Sequence, residues 1–141
     1  MENPLDTVRA LAPWAFTVHL KDAAVRECDD GFLLADAALG DGMLDLPVMV
    51  QVLRRANPTV CFHLETITRD ALVVPAKTDG YWASFDGVPR SALDAILTMV
   101  RATAGSTAFP TVRGLPLEKQ LALERRNVEQ SLKYAREKLN L

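Results

Sequence analysis

Ala15-Phe-Thr-Val-His-Leu-Lys-Asp22 and Thr59-Val-Cys-Phe-His-Leu-Glu-Thr66 are the stretches on which the fold turns. In the first, Phe16, Val18 and Leu20 alternate with Thr17, His19 and Lys21; in the second, Val60, Phe62 and Leu64 alternate with Cys61, His63 and Glu65. Successive side chains of a strand point to opposite faces, so each stretch predicts a strand with one apolar face and one face that carries chemistry. Between them, Asp45 is placed to cap a helix from about Leu46 to Ala56, with Val48, Val52 and Leu53 on its apolar side and Asn57-Pro58 stopping it. Strand, helix and strand make a βαβ unit, whose two strands run parallel.

Outward from this unit the signals are local. Asn3 is a good N-cap and Pro4 fits a first helical position, so a short helix is predicted with Leu5, Val8, Leu11 and Ala12 on one face before Pro13 ends it. Val25 to Cys28 and Phe32 to Ala38 read as the arms of a hairpin, with turn chemistry from Asp29-Asp30-Gly31; Gly40-Asp41-Gly42 is a second turn. After Glu65 a loop containing Pro75, Gly80, Gly87 and Pro89 is expected, then a helix from about Ala92 to Ala104 with Ser91 and Asp94 as a capping box. A Gly105 to Gly114 linker follows. Pro116 then opens an amphipathic helix with Leu117, Leu121, Val128, Leu132, Ala135 and Leu139 on its buried side. The expected division is residues 1–104 as one α/β unit and 105–141 as a linker and a helix packing on it.

The chain of 141 residues, 49% of them hydrophobic, suffices for one domain with a core, whereas a complete (β/α)₈ barrel takes roughly 250 residues. A formal charge of −2, with basic residues scattered among acidic ones, gives no footprint for nucleic acid. Glu2, Asn3 and Pro4 do not resemble the start of a signal peptide, and no apolar run reaches the ~18 residues of a membrane span, so the expected location is cytoplasmic. Cys28 and Cys61 have no metal-ligand spacing and read as ordinary thiols, Cys61 in or near the core.

His19 and Lys21 close the first patterned strand; His63 and Glu65 close the second. In a parallel barrel, inward side chains at the carboxyl ends of strands line the active site. An imidazole and a carboxylate on neighbouring strands are a partial ligand set for a divalent cation, two ligands being too few for a catalytic site. The bland readings are specific too. A histidine at a strand end is more often a hydrogen-bonded structural residue than a ligand, Lys21 and Asp22 read equally as a solvated strand end, and His63 suits packing or outer-shell support. Glu65 is different: a carboxylate on an inward, otherwise apolar strand is costly unless paired, protonated or metal-bound.

The string His19-Leu-Lys-Asp22, with Leu39-Gly-Asp-Gly42, Leu44-Asp-Leu-Pro47, Leu64-Glu65 and Ile67-Thr-Arg-Asp70, resembles the sugar-phosphate isomerases/epimerases of the xylose-isomerase-like TIM-barrel family over about residues 3 to 100. The resemblance implies an incomplete (β/α)₈ TIM barrel: about the last two parallel strands with their helices, an inserted β-hairpin and a C-terminal helical extension. It implies a divalent metal ion, Mn²⁺ foremost with Mg²⁺, Co²⁺ or Zn²⁺ as alternatives, held by His19 and Glu65 together with a glutamate and an aspartate from earlier strands. Glu65 and Lys21 are the implied catalytic pair, Glu65 as ligand and acid/base group and Lys21 as a cation near the substrate oxygens. The implied reaction is proton transfer next to a carbonyl through an enediolate, on a small sugar or sugar phosphate.

The loop from Thr68 to Tyr81 follows the Glu65 strand directly and is placed to cover the substrate, with Arg69 and Trp82 as candidate contacts and surface packing the stronger expectation for Trp82. The expected partners are the sugar substrate and either another copy of the chain or the missing N-terminal part of the barrel, with neither nucleic acid nor membrane. Two alternatives stand beside the isomerase. One is a catalytically inactive barrel fragment acting as an assembly module. The other is an endonuclease-like metal phosphodiesterase, against which two histidines and an acidic balance argue.

Overall fold

The computed structural model describes residues 2–85, 87–104 and 108–141 of the chain. Helix α1 (Pro4–Leu11) starts as predicted: Asn3 Oδ1 accepts hydrogen bonds from the backbone N–H groups of Leu5 (3.0 Å) and Asp6 (3.2 Å), and Pro4 sits where a missing N–H costs nothing. A 3₁₀ turn at Ala12–Trp14 leads into strand β1 (Thr17–Leu20). Ala12 is buried, but Leu11, predicted on the same face, is exposed. Strand β1 stops short of the predicted Asp22 because Asp22 already belongs to the next strand.

Strands β2 (Asp22–Cys28) and β3 (Gly31–Ala37) form the predicted hairpin, the first arm longer than predicted and the second shifted by one residue, from Cys28 opposite Gly31 to Asp22 opposite Ala37. Helix α2 (Leu46–Ala56) has the predicted bounds, and Asp45 Oδ1 accepts the Val48 N–H at 3.2 Å. Its buried side is Leu46, Met49, Val50 and Leu53; Val48 and Val52 are only half-buried. Strand β4 (Cys61–Leu64) then lies parallel to β1 in the register Thr17↔Cys61 through Leu20↔Leu64, completing the βαβ unit.

The stretch after β4 departs from the expected loop. Strand β5 (Leu72–Val74) pairs antiparallel with β3, Phe32 opposite Val74, giving a three-stranded sheet in the order β2-β3-β5. Three residues are too few to display an alternation, so the strand is invisible until its partner is present. Gly31 answers to the same contact: a Cβ there would lie 2.2 Å from the Val74 carbonyl oxygen, and its φ of 155° suits glycine. A one-turn helix, α3 (Asp79–Trp82), precedes α4 (Ser91–Thr103). The Ser91/Asp94 capping box does not form, because Ser91 is already the first helical residue and Arg90 at the cap has helical dihedrals.

Helix α5 (Leu117–Lys138) closes the chain. One core joins Leu20, Leu39, Leu46, Met49, Val50 and Leu139 between the parallel strands and helices, while a second joins Val25, Phe32, Ala76, Ile96 and Val100 beneath the antiparallel sheet. Tyr134, Ala135 and Leu139 attach the last turns of α5 and the residue after it to the first core. The predicted apolar face fails at its other end, where Leu117 and Leu121 are exposed. Polar contacts reinforce the attached end: the buried Ser131 hydroxyl oxygen accepts the Leu39 N–H at 3.1 Å, and Arg54 donates to the carbonyls of Leu139 (3.2 Å) and Asn140 (2.8 Å) beyond the helix. Residues 105–107 of the predicted linker lie outside the described residues.

The fold is therefore mixed α/β, with a two-stranded parallel sheet and a separate antiparallel sheet, and no closed barrel forms among the described residues. No helix is long and apolar enough to cross a membrane among those residues.

Candidate functional site

Parallel pairing puts the carboxyl ends of β1 and β4 side by side, which brings their polar residues together. The Glu65 N–H donates to the Leu20 carbonyl at 3.0 Å, so Glu65 leaves β4 level with the point where Lys21 leaves β1. His19 Nδ1 lies 2.9 Å from Glu65 Oε2, and Lys21 Nζ lies 2.9 Å from Glu65 Oε1. An ionised carboxylate only accepts, so Nδ1 carries the hydrogen of this bond, and in the neutral imidazole Nε2 keeps its lone pair. Lys21 first, and His19 second, hold the Glu65 carboxyl below its usual value of 4.5 by donating to the charged form. The His63 ring meets the His19 ring edge-on at 5.6 Å between centroids.

The structure thus gathers His19, Lys21 and Glu65, with His63 alongside. Cys61 shares the polar face and is exposed, not in the core, because alternation sends Val60, Phe62 and Leu64 toward the helices instead. Both thiols are unbridged. Arg69 is exposed, and Trp82 packs against the second core with its indole N–H donating to the Ala76 carbonyl at 2.6 Å, so Trp82 is a packing residue.

The expected covering loop is tied down: the Thr68 N–H donates to Glu124 of α5 at 2.8 Å, and Asp70 accepts the N–H groups of Val112 (2.7 Å) and Arg113. Those backbone donors, Val112 before Arg113, hold the Asp70 carboxyl below its usual range.

Asp22 and Asp36 lay outside the sequence reading of the site. Asp22 is no solvated strand end; it is completely buried. Its Oδ1 accepts the N–H groups of Ala23 (2.9 Å) and Leu44 (3.2 Å), and its Oδ2 those of Gly40 (3.0 Å) and Gly42 (3.1 Å). A Cβ on Gly42 would lie 2.1 Å from Oδ1, so the glycine of the Gly40-Asp41-Gly42 turn makes room for the carboxylate. The two motifs His19-Leu-Lys-Asp22 and Leu39-Gly-Asp-Gly42 are therefore one structural device that anchors the backbone next to Lys21. Asp36, on β3, has a side chain only 11% exposed; its Oδ1 is 3.9 Å from Lys21 Nζ and its Oδ2 is buried without a hydrogen-bond partner among the described residues. Lys21 thus lies between two carboxylates. An acid among Leu33, Leu34, Ala35 and Ala37 was the available signal for Asp36.

No protein-family model, curated protein or solved structure matches this chain. The Glu65 carboxylate suits Mn²⁺ or Mg²⁺, whereas the His19 imidazole suits Zn²⁺ and other transition metals and disfavours Mg²⁺. No three His, Cys, Asp or Glu side chains cluster as a metal-holding group among the described residues.

Proposed function

We propose that the chain is the carboxy-terminal part of a divalent-metal-dependent sugar or sugar-phosphate isomerase/epimerase, built on the last two strands of a (β/α)₈ barrel. The observation that carries the reading is the convergence of His19, Lys21 and Glu65 at the carboxyl ends of two parallel strands, within 2.9 Å contacts. Active groups in barrel enzymes are drawn from this end of adjacent strands. His19 and Glu65 would hold the cation in place of the hydrogen bond between Nδ1 and Oε2, since the Nε2 lone pair faces away from Glu65, and the cation when bound supplies electrophilic stabilisation to a substrate oxygen. Glu65, kept ionised by Lys21 and His19, is the group able to take a proton from carbon next to a carbonyl and return it. Lys21 places an ammonium where negative charge develops in an enediolate. The remaining ligands come from outside the described residues.

Calorimetric or paramagnetic titration of the chain with Mn²⁺ tests the assignment. Weak one-to-one binding is expected, lost in His19→Ala and Glu65→Gln and kept in His63→Asn. Equal binding by all four proteins would refute the site.

A further inference from the structure

Both oxygens of Glu65 are engaged: Oε2 by His19 Nδ1 and Oε1 by Lys21 Nζ, each at 2.9 Å. A carboxylate occupied in this way holds a cation or takes a proton only after a partner lets go. A cation on Oε2 would share the carboxylate with the ammonium on Oε1. Positive charges that close repel, and the repulsion grows as water is excluded. Lys21 then requires a second acceptor.

Asp36 is placed to be that acceptor. It stands opposite Ala23 on the paired strand, two residues on from Lys21, a diagonal that a long side chain spans. Its Oδ1 lies 3.9 Å from Lys21 Nζ, near enough for charge attraction but too far for a hydrogen bond. Its Oδ2 is buried and accepts no hydrogen bond among the described residues, and a buried acceptor left without a donor is costly. Lys21 carries three donors on a flexible four-carbon stem, and its side chain is 35% exposed, so it has room to turn. The backbone need not follow, because the next residue, Asp22, is fixed by the N–H groups of Ala23, Gly40, Gly42 and Leu44. A movement of about 1 Å at Nζ turns the long contact with Asp36 into a hydrogen bond.

We propose that Asp36 is the second seat of the Lys21 ammonium. When Glu65 Oε2 engages a cation, Lys21 turns from Oε1 to the Asp36 carboxylate. The ammonium stays paired, and Oε1 becomes the free oxygen that takes a proton from the substrate. Asp36 is thus a positioning residue that acts through Lys21. The seat is read from the geometry alone, whereas its use on cation binding rests on the isomerase reading.

Two measurements test the two parts. A crystal structure of Glu65→Ala at neutral pH tests the seat, since it removes the first acceptor at an exposed position. Lys21 Nζ is expected within about 3 Å of an Asp36 oxygen. An ammonium left in solvent, beyond ~4 Å of both oxygens, would overturn the seat. Mn²⁺ titration followed by electron paramagnetic resonance tests its use, in wild type, Asp36→Asn, Lys21→Met and the double variant, with circular dichroism checking each fold. Asp36→Asn should raise the Mn²⁺ dissociation constant on the order of tenfold, within the usual range of coupling between sites. In the Lys21→Met background the same change should shift it by no more than about threefold, because the group it acts through is gone. Equal factors in both backgrounds would overturn the proposal. Absence of Mn²⁺ binding in all four would overturn the isomerase reading and the cation-driven turn with it, while the Glu65→Ala structure still decides the seat.

Discussion

Replacement of Asp22 tests the part of the site that was least visible beforehand. In Asp22→Ala, four backbone N–H groups lose a charged acceptor at 2.9–3.2 Å. Hydrogen bonds to charged groups contribute ~1.5–3 kcal/mol each, but Gly40 is exposed and Gly42 and Leu44 are half-buried, so water recovers part of the loss. About 3–5 kcal/mol of destabilisation remains, a large fraction of the ~5–15 kcal/mol that holds a typical domain. Asp22→Asn keeps the shape and sharpens the test. One carboxylate oxygen faces Ala23 and Leu44 and the other faces Gly40 and Gly42, so whichever way the amide turns, its NH₂ meets two N–H donors. The expected cost is about 2–3 kcal/mol. Urea denaturation followed by circular dichroism measures both, with an unchanged slope showing that the unfolded state is unaltered. If Asp22→Asn stays within about 0.5 kcal/mol of wild type, as an ordinary surface substitution does, the anchoring role is wrong.

Glu27 supplies a pH test: Arg101, then Lys77, pull its carboxyl from 4.5 to about 2, so its stabilising contribution is present above pH 4.5 and is lost as pH falls toward 2. In Glu27→Gln the fall in urea midpoint across that window should be shallower; an identical pH profile would refute the pairing. Lys21→Met should raise the Glu65 carboxyl toward its usual value, an upward shift readable by carbon-detected NMR titration, and an unmoved titration would exclude Lys21 as the main cause. Ser131→Ala leaves the Leu39 N–H without its acceptor and should cost about 1–3 kcal/mol in urea denaturation, whereas a neutral result would show that this hydrogen bond does not hold α5. Gly40→Ala should also destabilise, because φ is 90° and the new Cβ would meet the Tyr134 ring; unchanged stability would show that the turn relaxes freely.

What the sequence by itself determined is what short-range periodicity and capping chemistry carry. Two strands with apolar and polar faces, the Asp45-capped helix between them, their parallel sense and the Asn3-capped first helix follow from neighbours a few residues apart. The same alternation placed His19, Lys21, His63 and Glu65 near one strand end, and pairing brought three of them into contact.

Tertiary structure alone decided whatever depends on partners distant in the chain. Asp22 reads as a solvated end until the Gly40-Asp41-Gly42 turn folds over it, and Leu72–Val74 becomes a strand only because β3 offers an edge. Leu117 and Leu121 fit an amphipathic pattern, yet stay exposed because the described contacts of α5 with the first core lie in its last turns. Burial belongs to the surface that meets a residue, and periodicity reports only which side of an element that residue occupies.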